Sequence, residues 1–217
     1  MKKWALIGSS RGLGRAFAEC LPADDRLLLI SRKEPVGFMR EAQFFPADLA
    51  KTQGRADLLE KLREFEPDVV VDFAAGGPYG DFASKDWKDH MWSFQVSFMA
   101  KAELVHGLAG LQTPPQMVCW IGSAIAEDDG DVKAGAYAAS KAALKSLFYT
   151  LRKEESLPFE LLLFSPGYID TDLLPANAAP RKQVESLWKP AEVADKLLDW
   201  LQDPSRESYK RLTPYRY

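Results

Sequence analysis

Tyr137 and Lys141 stand four residues apart in the stretch YAASKAALKSLFYTLRKE, and Tyr149 and Lys153 repeat the spacing twelve residues later. On a helix, a separation of four puts both side chains on one face, about one turn apart. A free phenol ionises near pH ~10, and a neighbouring cation lowers that value by favouring phenolate. Either pair therefore has the composition of a proton donor and its helper, and their neighbours must decide between them. Upstream of Tyr137 the apolar run MVCWIG ends at Ser123, and downstream another apolar run ends in the turn SPGYIDTD. A serine hydroxyl can donate to an oxygen that gains negative charge, an interaction worth roughly 2–4 kcal/mol in a preorganised site. Ser123, Tyr137 and Lys141 together can thus polarise and protonate a carbonyl oxygen. Tyr149 has no such company and lies about 18 Å further along the helix axis. Tyr149 and Lys153 read as packing and solvated surface.

Other elements must bring these three groups to one place. Short, continuously apolar runs recur at 4–8, 26–31, 69–75, 117–123 and 159–167. Amphipathic stretches of helical length lie between them at 12–21, 51–65, 94–111 and 136–155, with a shorter one at 190–203. Runs that are apolar throughout mark strands buried on both faces, as in parallel sheets covered by helices. The expectation is an α/β fold: a doubly wound parallel sheet flanked by helices, in one domain over 1–217. Ligands of such sheets bind beyond the carboxyl ends of the strands. The two long connections, 76–82 and 168–189, fall there.

The first apolar run leads straight into GSSRGLGRAFAE, with Gly8, Gly12 and Gly14. A strand, a glycine-rich turn and a helix leave backbone N–H groups free to meet a phosphate, and the missing side chains let it approach. The second run is followed by Ser31, Arg32 and Lys33, with no carboxylate before Glu34, and Arg11 sits inside the glycine turn. A carboxylate there would accept from a ribose 2′-hydroxyl, whereas a guanidinium suits a 2′-phosphate. The sequence predicts NADP(H) over NAD(H). Asp48, in FFPADLA between the second and third of these runs, suits either an adenine amino group or the start of the next helix.

In these motifs the chain resembles the short-chain dehydrogenase/reductase family, over nearly all of its length. The family's TGxxxGxG corresponds to IGSSRGLG at 7–14, its NNAG to Phe73, Ala74, Ala75 and Gly76, and its YxxxK to Tyr137 and Lys141. Its catalytic serine corresponds to Ser123, and its PG turn with a following threonine to Pro166, Gly167 and Thr171. The resemblance implies a Rossmann-type fold and hydride transfer between the nicotinamide of NADP(H) and a carbonyl or alcohol, with Tyr137 as general acid/base. It implies cofactor contacts from Gly8, Ser10, Arg11, Gly12, Leu13 and Gly14, from Arg32, Asp48 and Leu49, and from Ala74, Ala75 and Gly76. Tyr137, Lys141, Pro166, Gly167, Ile169 and Thr171 complete that set, Lys141 bonding the nicotinamide ribose. There are also departures. Ile7 replaces the leading threonine, Phe73 and Ala74 replace two asparagines, and Ser97 stands where the family has an asparagine that holds a relay water. The family's glycine-rich last strand is missing from RESYKRLTPYRY. These changes lend weight to an alternative, a dinucleotide-binding sensor or scaffold that keeps the fold with little catalysis.

Within 168–189, a lid over the substrate is expected, with Tyr168, Leu173, Leu174 and Trp188 lining an apolar pocket or serving as core contacts. Cys20 and Cys119 are too few and too isolated for a disulfide framework or a zinc site and read as core fillers in a reducing, cytoplasmic setting. His90 and His106 lack partners at metal-ligand spacing, so no metal is expected. The apolar run in MKKWALIGSS is too short for a signal peptide or membrane span. A formal charge of −3 argues against general nucleic-acid binding. The expected partners are a small-molecule substrate and further copies of the chain, as a homodimer or homotetramer built on 94–111 and 136–155.

Overall fold

The computed structural model describes residues 1–127 and 132–216, with 183 and 184 described in backbone only. The five apolar runs form β1 (Lys3–Ile7), β2 (Arg26–Ser31), β4 (Val69–Asp72), β5 (Met117–Ile121) and β6 (Glu160–Ser165). With β3 (Gln43–Pro46) and β7 (Tyr209–Arg211) they make one seven-stranded sheet, ordered β3-β2-β1-β4-β5-β6-β7, all pairs parallel. The fold is the expected doubly wound α/β sheet. The last strand corrects the sequence reading: β7 is present, built from YKR without glycines, and pairs with β6 through Leu163 and Tyr209.

Continuous apolarity follows from burial on two faces, because successive strand residues point to opposite sides. Trp4, Leu6, Leu29, Val71 and Cys119 face one core, shared with α1 (Gly12–Cys20) and α6 (Pro190–Gln202). Ala5, Ile7, Leu28, Val70 and Trp120 face the other, covered by α2 (Thr52–Phe65), α4 (Ala100–Ala109) and α5 (Gly135–Leu151). Both cysteines take part as packing. Cys119 is fully buried, which pushes its thiol up, and burial raises Cys20 to about 11.

The helix expected over 94–111 begins earlier. It consists of α3 (Trp87–Phe94), a π-helical turn at Gln95–Met99 and then α4. A π turn widens a helix locally and often sits beside a functional site; Ser97 lies inside this one. Beneath it, Lys101 is fully buried with its Nζ 2.5 Å from Asp72 Oδ1 and 3.1 Å from the Asp72 carbonyl. Removing one partner of such an ion pair costs about 3–5 kcal/mol, because the other charge is left buried.

Candidate active site

Strand order reverses between β1 and β4, and there, at the carboxyl ends of the strands, a cleft of about 900 Å³ opens. Its first wall is the glycine turn. Gly8 has φ +82°, and a Cβ on it would come within 2.7 Å of the Ala74 backbone nitrogen. A Cβ on Gly14 would lie 2.5 Å from the Gly8 carbonyl oxygen. The turn therefore packs backbone on backbone, which only glycine allows. Gly12, Leu13 and Gly14, the first residues of α1, line the cleft, and no side chain caps that helix. Its leading N–H groups lack partners within the helix and are available to an anion.

Ser10, Arg11, Ser31, Arg32 and Lys33 surround this end of the cleft, with Asp48 and Leu49 beside them. Arg11 reaches the carboxylate of Asp172 at 3.5 Å, an exposed pairing. Glu34, the first carboxylate after β2, is not among the lining residues. Asp48 serves local structure as well, since its carboxylate accepts from the Ala50 N–H at 3.2 Å.

The other end gathers the groups that sequence spacing singled out. Ser123 follows β5, Tyr137 and Lys141 come from the first half of α5, and all three line the same cleft. Lys141 is buried; its Nζ donates to the Ile121 carbonyl at 2.6 Å and sits 5.7 Å from the centre of the Tyr137 ring. Burial holds the Lys141 ammonium well below its ordinary range, and repulsion from Lys101 adds to this, while Asp72 opposes it. Burial also pushes the Tyr137 phenol up; hydrogen bonding from Ser123 acts in the opposite direction. Burial works against the acidification of the phenol that the sequence led us to expect from Lys141. With both groups out of water, desolvation favours the neutral form of each, and the serine is the group that favours phenolate. Further along α5, Tyr149 packs into the second core and Lys153 is exposed, as their isolation in sequence suggested.

Two named residues are placed elsewhere. Ser97 is fully buried and does not line the cleft: its hydroxyl donates to the Gly76 carbonyl at 3.1 Å and accepts from the Gly76 N–H at 3.2 Å. That serine braces the segment corresponding to NNAG, and its single proton is committed to a backbone oxygen. Trp188 packs against the first core, donates from its indole nitrogen to the Thr213 carbonyl at 3.0 Å, and is not a lining residue either. Tyr168, Leu173 and Leu174 do line the cleft, with Pro166, Gly167, Ile169 and Thr171. Ala74, Ala75 and Gly76 line it as well. His90 meets the Phe82 carbonyl at 3.0 Å, and among the described residues no group of His, Cys, Asp and Glu is arranged to hold a metal.

Sequence reasoning missed Trp92 and Val96, which line the cleft from one face of α3 and the π turn, and Ile125 and Tyr79 near the catalytic end. The four-residue spacing of Trp92 and Val96 was the available signal. The tail was missed too. Pro214 accepts from the Tyr168 N–H at 2.8 Å, and a Cβ on Gly167 would lie 2.2 Å from the Thr213 carbonyl oxygen, so residues after β7 brace the PG turn.

The glycine cradle, the uncapped helix start and the cations at one end fit the phosphates of a dinucleotide, and the length of the cleft leads from them to Tyr137. The sequence profile of the family described as short chain dehydrogenase matches residues 2–182. No curated protein matches the chain. Among solved structures, a short chain dehydrogenase from Burkholderia cenocepacia J2315 in complex with NADP is 22% identical, with TM-score 0.82 over 98% of this chain and 96% of that one. BdcA in complex with NADPH is 23% identical, with TM-score 0.83 over 99% and 94%. A 4-hydroxyisoleucine dehydrogenase complexed with NADH is 16% identical, with TM-score 0.82 over 97% and 96%. With its profile matched over residues 2–182, and its sheet shared with these structures, the chain belongs to the short-chain dehydrogenase family of oxidoreductases.

Proposed function

We propose that this protein is an NADP(H)-dependent reductase of an apolar aldehyde, ketone or quinone, with Tyr137 as the proton donor. The observation that carries this reading is the convergence of Ser123, Tyr137 and Lys141 on one end of a cleft whose other end holds Arg11, Arg32 and Lys33. When bound, the nicotinamide supplies or takes up the hydride. The chain's own part is to hold the carbonyl, stabilise charge on its oxygen and deliver a proton. Ser123 donates to that oxygen, and Tyr137 gives up the phenolic proton. The phenol is protonated through neutrality, the form in which it can serve as the acid in reduction. Lys141, one turn away, bonds the ribose and positions the acid.

NADP complexes among proteins of the same fold support the choice of cofactor, and the NADH complex means that fold alone does not make it. The weight rests on the cations after β2 and in the glycine turn. Tyr168, Leu173, Leu174 and Ile125 give the substrate end an apolar wall suited to a bulky or aromatic carbonyl. Self-association through α4 and α5 belongs to the same proposal, supported by Met99, which leaves 47% of its surface exposed beside α4; a monomer by light scattering would count against it.

Titration with NADPH and NADH, followed by the absorbance of the reduced cofactor with a panel of aldehydes, ketones and quinones, tests the proposal. Tighter NADPH binding and turnover of at least one apolar carbonyl are expected. Tight NADPH binding with no turnover on any of them would favour a dinucleotide sensor, a reading to which the commitment of Ser97 to Gly76 lends some weight. Equal affinity for both cofactors would overturn the NADP(H) assignment.

A further inference from the structure

Arg32 follows from the end of β2 into an exposed position on the cleft, and among the described residues it meets no carboxylate. Its neighbour is an aromatic ring: the guanidinium carbon lies 5.9 Å from the centre of the Trp92 indole. Trp92 comes from the last turn of α3, on the far side of the cleft, and is itself tightly seated. A Cβ added to Gly76 would meet the indole Cη2 at 2.4 Å and Cζ3 at 2.6 Å. The indole therefore occupies the space that glycine leaves, and Ser93 and Ser97, on the same helical stretch, bond Gly76 from below. A ring wedged in this way has few rotamers open to it. Trp92 lines the cleft with Val96, between Arg32 and the Gly76–Gly77 segment.

A guanidinium held against an indole face keeps its N–H edge free. It can thus meet a phosphate with two donors at once, and the cation–π contact removes freedom that binding would otherwise have to remove. We infer that Trp92 is a positioning residue for cofactor specificity: its indole holds Arg32 in place for the 2′-phosphate. The inference rests on the NADP(H) reading. It adds a residue that acts through Arg32, so its effect depends on the 2′-phosphate.

The test uses the full-length protein and needs no substrate. Isothermal titration with 2′,5′-ADP and with ADP, which differ in the 2′-phosphate, is run on wild type, Trp92→Leu, Trp92→Phe and Arg32→Gln, and on the double variant Trp92→Leu/Arg32→Gln. Wild type should prefer 2′,5′-ADP. Trp92→Leu should weaken 2′,5′-ADP binding by about three- to tenfold with a smaller effect on ADP, and Trp92→Phe should restore most of the loss. In the Arg32→Gln background the Trp92→Leu change should have little further effect on the 2′-phosphate preference, since the two act as a unit. Quenching of tryptophan emission by 2′,5′-ADP should shrink in Trp92→Phe. If wild type prefers 2′,5′-ADP and Trp92→Leu keeps that preference in full, or if the two losses simply add, the role of Trp92 is overturned and the cofactor assignment stands. If wild type shows no preference, the cofactor assignment falls and the inference goes with it.

Discussion

Tyr137 carries the proton in the proposed reaction, and Tyr137→Phe removes one oxygen while leaving the rest of the side chain, whose Cβ lies beside Gly77. The expected result is turnover reduced by about 10²–10⁴-fold, the range of a lost general acid, with NADPH affinity nearly unchanged by titration. Undiminished turnover would take Tyr137 out of the mechanism. Because burial raises the phenol, carbonyl reduction should hold steady through neutrality and fall only as pH passes above the ordinary phenol value of 10.0. The trio Ser123, Tyr137 and Lys141 was legible because its spacing is local and each member ends or rides a strongly patterned element. The buried Asp72–Lys101 pair was not. An aspartate after a strand and a lysine on a helix look like surface residues until tertiary packing closes over them. The same packing took Ser97 away from any solvent and turned its hydroxyl to Gly76.

Among the elements, the five apolar strands and the bodies of the helices followed directly from their periodicity. The exceptions have physical causes. The helix start at Trp87 lies in DWKDHMW, whose charged residues carry no apolar stripe, and β7 is a three-residue edge strand that gains its place from β6 alone. The segment 168–189 was legible as a long connection but its fastening was not. Arg181 donates to the Thr171 carbonyl at 2.7 Å and the Leu174 carbonyl at 2.9 Å and pairs with Asp170, which Lys189 also meets at 2.9 Å. The two ends of the segment are joined where Ile169 bridges Trp188. Arg181→Ala removes the clasp inside the segment and touches neither hydrophobic core. Limited proteolysis should then cut within 168–189 several times faster than in wild type, while the thermal midpoint moves by only a few degrees. Equal cleavage rates would mean that the tail contacts at Thr213 and Pro214 hold the segment by themselves.

For the molecule as a whole, the Tyr137 end of the cleft is also where stability is given up. Lys141 and Lys101 are both buried bases whose ammonium forms burial disfavours, only partly offset by Asp72. A base with a depressed value in the folded state binds fewer protons there than in the unfolded chain, over the interval from the folded value up to the ordinary lysine value of 10.5. Through that interval the unfolded chain holds the extra proton, so raising the pH releases protons from it preferentially and stability rises with pH. Tyr137 acts oppositely, since its raised value favours the folded state less as pH climbs, but that contribution begins only near its ordinary value of 10.0. Below about pH 9 the lysines therefore set the sign among these groups. Lys141→Met keeps the aliphatic stem and deletes the titrating group, and with it the bond to the Ile121 carbonyl. Its absolute stability mixes a relieved charge with an orphaned carbonyl. The slope against pH isolates the charge. Chemical denaturation from about pH 7 to 9 should show wild type gaining stability relative to Lys141→Met, with the two curves converging in shape once the lysine is neutral in both states. Parallel curves across the whole range would mean that Lys141 keeps an ordinary proton affinity in the fold and that burial does not depress it.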